Sequence, residues 1–164
     1  SLSDYPDLVT LPCYEWQHVL VLPADHPLAR KERFSLEDLA VEPIITYHPS
    51  FTGRTRIDSA FAQRKLTPRI ALEAIDSDVI KTYVRLGLGI GIVAEMAVRD
   101  DGSNGDLLVR PLGHLFGQNV ARVAFKRSAY LRNFVYKFAE LLSDRLDRNL
   151  IAKAMTGHVN DYEL

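Results

Sequence analysis

Apolar residues fall along this chain in short runs and in helical faces that alternate with one another. His18-Val-Leu-Val-Leu22 is a compact apolar run closed by Pro23, and it reads as a buried strand. Residues 23–27 make a turn. Ser35 is placed to cap a short helix, and Asp38 completes a capping-box pattern in which Glu or Gln is the usual partner. Pro43 leads into a second strand, Ile44 to Tyr47. The loop His48 to Gly53 opens into a helix over roughly 54–65, where Ile57, Ala60 and Phe61 share one face and Thr52 or Thr55 is the cap. A third strand spans Pro68 to Ala74. Asp76 or Ser77 caps the next helix, with Val79, Ile80, Tyr83 and Val84 as its buried face and Gly87 as its left-handed terminator. Ile90 to Val93 is a fourth strand. Asp100 to Asp106 is an exposed, turn-rich loop, and Leu107 to Val109 and Val120 to Phe125 are further strands. A helix starting near Ser128 repeats Leu131, Phe134, Val135, Phe138 and Leu142. A last amphipathic stretch, Leu150 to Met155, precedes Gly157 and a polar tail.

Strand and helix alternating over short connections predict crossover units and a largely parallel sheet, hence an α/β fold. Residues 1–12 and 119–143 flank this block without closing on it. They read as two edges of a second sheet whose other strands are missing. The chain is therefore expected to hold one complete α/β subdomain and part of a second. Unpaired edges of that kind predict self-association.

Composition narrows the class. The 164 residues are 47% apolar and 25% charged, a soluble globular balance. No apolar run is long enough to cross a bilayer, and no signal-peptide pattern is present. The net charge of -1 leaves no basic surplus for gripping nucleic acid. A lone cysteine, Cys13, excludes an intramolecular disulfide and a thiolate cluster, and it fits a reducing cytoplasm and buried packing. No methionine precedes Met96, so the chain reads as a piece of a longer protein.

The glycines Gly87, Gly89 and Gly91 follow a helix and open a strand, the reverse of a dinucleotide fingerprint. They read as a helix terminator and two sites of close packing. Phe51-Thr52-Gly53-Arg54 is more suggestive. It joins a hydroxyl donor and a glycine to a helix N-terminus just past a strand end, a place where free N–H groups attract anions. The alternative is that Thr52 only caps its own helix. Arg54 and Arg56 would add charge there, although arginines in a first helical turn are more often solvated. Trp16, the one tryptophan, is either a ligand wall or a core anchor. Of the five histidines, His48 beside the anion loop is singled out, and most of them read as surface or turn residues. No metal spacing, nucleophile elbow or phosphate-binding loop is present, so no enzyme and no cofactor are expected.

Several phrases resemble LysR-type transcriptional regulators. Leu22-Pro-Ala-Asp-His-Pro-Leu-Ala29, Ser35-Leu-Glu-Asp-Leu39, Pro43-Ile-Ile-Thr46 and Val84-Arg-Leu-Gly-Leu-Gly-Ile-Gly-Ile-Val93 carry the family-wide likeness. Leu11-Pro-Cys-Tyr-Glu-Trp16, Phe51-Thr-Gly-Arg54, Leu66-Thr-Pro-Arg69 and the stretch Asp78 to Gly89 are similar to its CysB- and Cbl-like branch. The resemblance implies a periplasmic-binding-protein-like effector domain of two α/β subdomains. Residues 1–13 would be an edge of subdomain I with the first crossing segment, and 14–116 subdomain II. Residues 117–144 would be the second crossing segment with the C-terminal part of subdomain I, and 145–164 a C-terminal helix and tail.

It further implies regulation of sulfur assimilation and cysteine biosynthesis, with sulfate, thiosulfate or an acylserine held between the subdomains. Trp16, Thr46, Phe51, Thr52 and Gly53 are the implied effector-binding residues. Promoter DNA would be bound only through an absent N-terminal domain, in a cytoplasmic homo-oligomer. His48-Pro-Ser50 departs from the Tyr/Thr-Phe-Gly stretch expected before Phe51. The rival reading is a solute-binding protein of the same fold for a small anion.

Overall fold

The computed structural model describes residues 5–98 and 105–157. Most of the turn-rich loop expected at Asp100 to Asp106 and the polar tail after Gly157 lie outside the described residues. The chain divides into two compact units, residues 16–119 and residues 1–15 with 120–164.

In the unit 16–119, the strands are the second half of β1 (Leu8–Pro23), β2 (Pro43–Tyr47), β3 (Arg69–Ala74), β4 (Ile90–Ala94) and β5 (Leu107–Pro111). Their order in the sheet is β3-β2-β4-β1-β5. β2 runs parallel to β3 and β4, as the crossover pattern requires. β1 runs antiparallel to both β4 and β5. The sheet is therefore mixed rather than largely parallel, because β1 precedes the crossover units and β5 follows them.

The strand period of two sorts β1 between two cores. Leu20 and Leu22 join Phe34, Leu39, Ile57, Phe61 and Phe116 on one face. Val19 and Val21 join Ile80, Val84 and Val93 on the other. α1 (Leu36–Ala40), α2 (Thr52–Gln63) and α4 (Gly113–Phe116) supply the first core, and α3 (Ser77–Arg85) the second. Gly91 stands where a β-carbon would lie 2.4 Å from Val21 Cγ2 on β1 and 2.9 Å from Val84 Cγ2 on α3, so a side chain there would crowd both the neighbouring strand and the helix.

The expected capping box on α1 is present, with Ser35 Oγ accepting from Asp38 N and Asp38 accepting from Ser35 N. α3 is capped by Asp76, and Gly87 has φ 75°. Val79, expected to be buried, is exposed, because α3 meets the sheet through Ile80 and Val84. α2 starts at Thr52, two residues earlier than the apolar pattern suggests. Neither Thr52 nor Thr55 caps it: Phe51 holds the N-cap position with no side-chain hydrogen bond.

The other unit has its own core of Val9, Leu11, Cys13, Phe125, Ala139, Leu146, Ile151 and Ala154. β6 (Gln118–Lys126) pairs with β1, and α5 (Asn133–Leu142) and α6 (Arg148–Thr156) complete the unit. β1 thus begins ten residues before the expected His18, and its first half belongs to this unit. α5 begins five residues later than Ser128 and packs through Ala139, with Val135 and Tyr136 half-buried. Phe134, Phe138 and Leu142, read from the sequence as its inner face, are exposed.

Candidate functional site

Parallel strands deliver their C-terminal ends, and the N-termini of the following helices, to one edge of a sheet. Here that edge carries a cavity of about 800 Å³. Tyr47 ends β2, Ile75 follows β3, and Ala94 ends β4, all three on its wall. The first turns of α2 and α3 open onto it through Thr52, Gly53, Ser77 and Asp78. Trp16 closes one side from β1, and Met96 and Ala97 another from a short 3-10 turn, Glu95–Ala97.

The two helix starts differ electrostatically. The α3 start is already satisfied: Asp76 accepts from Asp78 N at 2.6 Å, and Asp78 pairs with Lys81 at 2.8 Å. Lys81 Nζ also donates to the Ala97 carbonyl at 2.9 Å. A hydroxyl pair, Tyr47 Oη and Ser77 Oγ at 2.7 Å, braces this side, and Ala94 N donates to Tyr47 Oη at 3.0 Å. The α2 start has no side-chain cap and no acidic residue in its first turn. Its N–H groups and positive dipole end therefore favour an anion at Thr52 and Gly53.

Arg54 contributes no charge to the cavity. Instead of being solvated, it is buried behind the first turn of α2. Its guanidinium donates to Asp58 at 2.7 Å, to Glu73 at 2.8 Å and to the Tyr47 carbonyl at 2.7 Å. Burial alone would lower its pKa, but hydrogen bonds and charge attraction from Asp58 and Glu73 raise it instead. Arg54 thus ties α2 to the ends of β2 and β3, with its charge neutralised by two carboxylates.

Of the residues expected to bind an effector, Trp16, Phe51, Thr52 and Gly53 all line the cavity. Thr46 is not brought to it. Thr46 is fully buried, and its hydroxyl donates to the Ile92 carbonyl at 2.9 Å, tying β2 to β4. His48 is exposed, with Nδ1 2.9 Å from Ser50 Oγ, and it does not line the cavity. Cys13 is buried, and burial pushes its thiol pKa up, as suits a packing residue. Among the described residues no cluster of three or more His, Cys, Asp or Glu could hold a metal ion.

Sequence reasoning missed His18. It is fully buried, and neither ring nitrogen has a hydrogen-bond partner. Its ring stands edge-on to Trp16 at 5.1 Å and to Phe116 at 5.7 Å. Burial, reinforced by the charge of Arg56 and opposed by the Gly53 backbone, lowers its pKa to about 4. The only signal in the sequence was a polar residue opening an apolar run.

A family model described as the LysR substrate binding domain matches residues 2–147. Over all 164 residues the chain is 54% identical to the HTH-type transcriptional regulator CysB of Burkholderia cenocepacia, covering 52% of that protein. It is 46% identical over 152 residues to the HTH-type transcriptional regulator SsuR of the same organism, covering 93% of this chain and 49% of that protein. The crystal structure of the cofactor-binding domain of the Cbl transcriptional regulator matches with a TM-score of 0.83 and 43% identity. That match covers 95% of this chain and 68% of the Cbl domain. The chain spans about half the length of the curated relatives it matches.

Proposed function

We propose, from the premise that this chain belongs to the LysR substrate binding domain family, that it is the effector-sensing part of a transcription regulator of sulfur metabolism. Its mixed α/β fold is that of LysR effector-binding domains, which are periplasmic-binding-protein-like. The effector is a small anion or an acylserine: sulfate, thiosulfate or an acylated serine. It binds at Thr52 and Gly53, with Trp16 and Phe51 as walls. Residues 14–116 form effector subdomain II, and residues 1–13 and 117–144 supply the crossing segments and part of subdomain I. The intact protein is a non-enzymatic, cytoplasmic homo-oligomer that binds promoter DNA through a separate domain.

One observation carries this reading. The cavity at the strand ends holds two helix starts, and the one beside Trp16 carries no capping side chain and no carboxylate. A doubly charged oxyanion meets N–H donors and a hydroxyl there, while Lys81 on the cavity wall is held by Asp78 and the Ala97 carbonyl. Release on dilution is then easier than from an ion pair, which suits a sensor.

Trp16 reports on occupancy, because it forms part of the cavity wall. Titrating sulfate, thiosulfate and an acylserine into the intact protein should give a saturable emission change that Trp16→Phe abolishes. No change with any of the three ligands overturns the reading.

A further inference from the structure

Behind the cavity wall sits a group with no structural duty of the ordinary kind. His18 lies on β1, between β4 and β5, where its backbone pairs with Ala94 at the end of β4 and accepts from Leu112 N at 2.9 Å. Its side chain is 0% exposed, yet neither Nδ1 nor Nε2 makes a hydrogen bond of good geometry; the Gly53 backbone acts on the ring only weakly, too little to offset its burial. Buried polar atoms in native structures are almost always paired, and an apolar side chain would fill this space without that penalty. The ring's neighbours show where the imidazole is used. A β-carbon added to Gly53 would lie 3.1 Å from His18 Nε2 and 3.4 Å from Trp16 Cη2. The same ring meets Trp16 edge-on at 5.1 Å. One side chain therefore backs both the wall of the cavity and the uncapped turn of α2. Behind it stands Phe116, at 5.7 Å. The charged group that bears on it is Arg56, one turn further along α2.

We propose that His18 is a positioning residue of the effector site: its imidazole, packed against Gly53 and Trp16, sets the place of the α2 N-terminus and of Trp16 for an anionic effector. This rests on the effector-site reading given above. An imidazole does here what a larger ring or an aliphatic chain cannot. It is flat enough to let Gly53 settle on it, and it presents Nε2 to the first turn of α2. Gly53 is the complement of this arrangement, since any side chain there would press on both rings.

The test uses the intact protein with sulfate and an acylserine as probes, followed by calorimetry, and thermal unfolding without ligand. His18→Leu removes both nitrogens at similar volume, and His18→Gln restores an amide near the position of Nε2. The expected result for His18→Leu is a thermal midpoint equal to or above that of wild type, with affinity for both probes at least tenfold weaker. His18→Gln should recover part of that affinity. Wild-type affinity in His18→Leu overturns the proposal. So does a thermal midpoint that falls together with affinity in both variants, which makes His18 a core residue only. Thr52→Val separates the two readings. If wild type binds neither probe, the effector site itself fails. If Thr52→Val weakens binding and His18→Leu does not, only the role of His18 fails.

Discussion

His18 and Arg54 show how much one buried polar side chain can decide. The His18 pKa falls from 6.5 to about 4, chiefly through burial and next through Arg56. Below pH 6.5 the unfolded chain takes up a proton that the folded chain refuses. Stability is therefore full above 6.5, declines as pH falls, and levels off for this group below about 4. Between pH 7 and pH 5 the loss amounts to roughly 2 kcal/mol. Urea unfolding at the two pH values should show that loss in wild type and not in His18→Leu; equal losses would mean the imidazole does not stay neutral. Arg54 works in the opposite sense. Its three hydrogen bonds hold α2 against the ends of β2 and β3. Arg54→Leu takes a charged hydrogen bond from the Tyr47 carbonyl, while Asp58 and Glu73, both partly exposed, regain water. A loss of about 2–3 kcal/mol in urea unfolding at pH 7 is expected; a change near zero would show that the cluster contributes nothing net.

At the scale of elements, the strands and their helices were legible wherever an apolar run was bounded by Pro, Gly or a capping residue. β2, β4 and α1 are of this kind. β1 was legible only in its second half, since the exposed Tyr14 and Glu15 interrupt its apolar pattern without interrupting its hydrogen bonding. α5 misled because Phe134 and Phe138 recur at helical spacing as a buried face would, although they are exposed. Periodicity shows that a face exists and not what covers it. The close-packing role of the glycines was legible, and it has a measurable consequence. Gly91→Ala brings a methyl group within 2.4 Å of Val21 Cγ2 and 2.9 Å of Val84 Cγ2. The strain should cost about 1–3 kcal/mol, read from the urea midpoint at unchanged slope. A wild-type midpoint would mean that Val21 and α3 both give way freely.

For the molecule as a whole, the loop that brings Thr52 and Gly53 to the cavity was visible in the sequence as a threonine and a glycine at a helix start after a strand. Three things were not. Thr52 turned out to be inside the helix rather than its cap. Arg54 found Glu73, a partner nineteen residues away on β3, and so withdrew from the cavity. His18 is enclosed by Gly53 of α2 and Phe116 of α4, neighbours that only the fold brings together. Long-range pairing of this kind leaves no local pattern. Charge did speak at this scale: with a net charge of -1, the 164-residue chain alone should show no sequence-specific DNA affinity, and nanomolar retention of a promoter fragment at physiological salt would refute that. The central claim is that the uncapped start of α2 holds an anionic effector. Calorimetric titration of sulfate and an acylserine into the intact protein, wild type beside Thr52→Val, tests it most directly. Valine keeps the shape and removes the hydroxyl donor, so affinity should fall about tenfold or more, the worth of a hydrogen bond to a charged group at roughly 1.5–3 kcal/mol. Equal affinities in the two proteins, or no binding in either, would contradict the account.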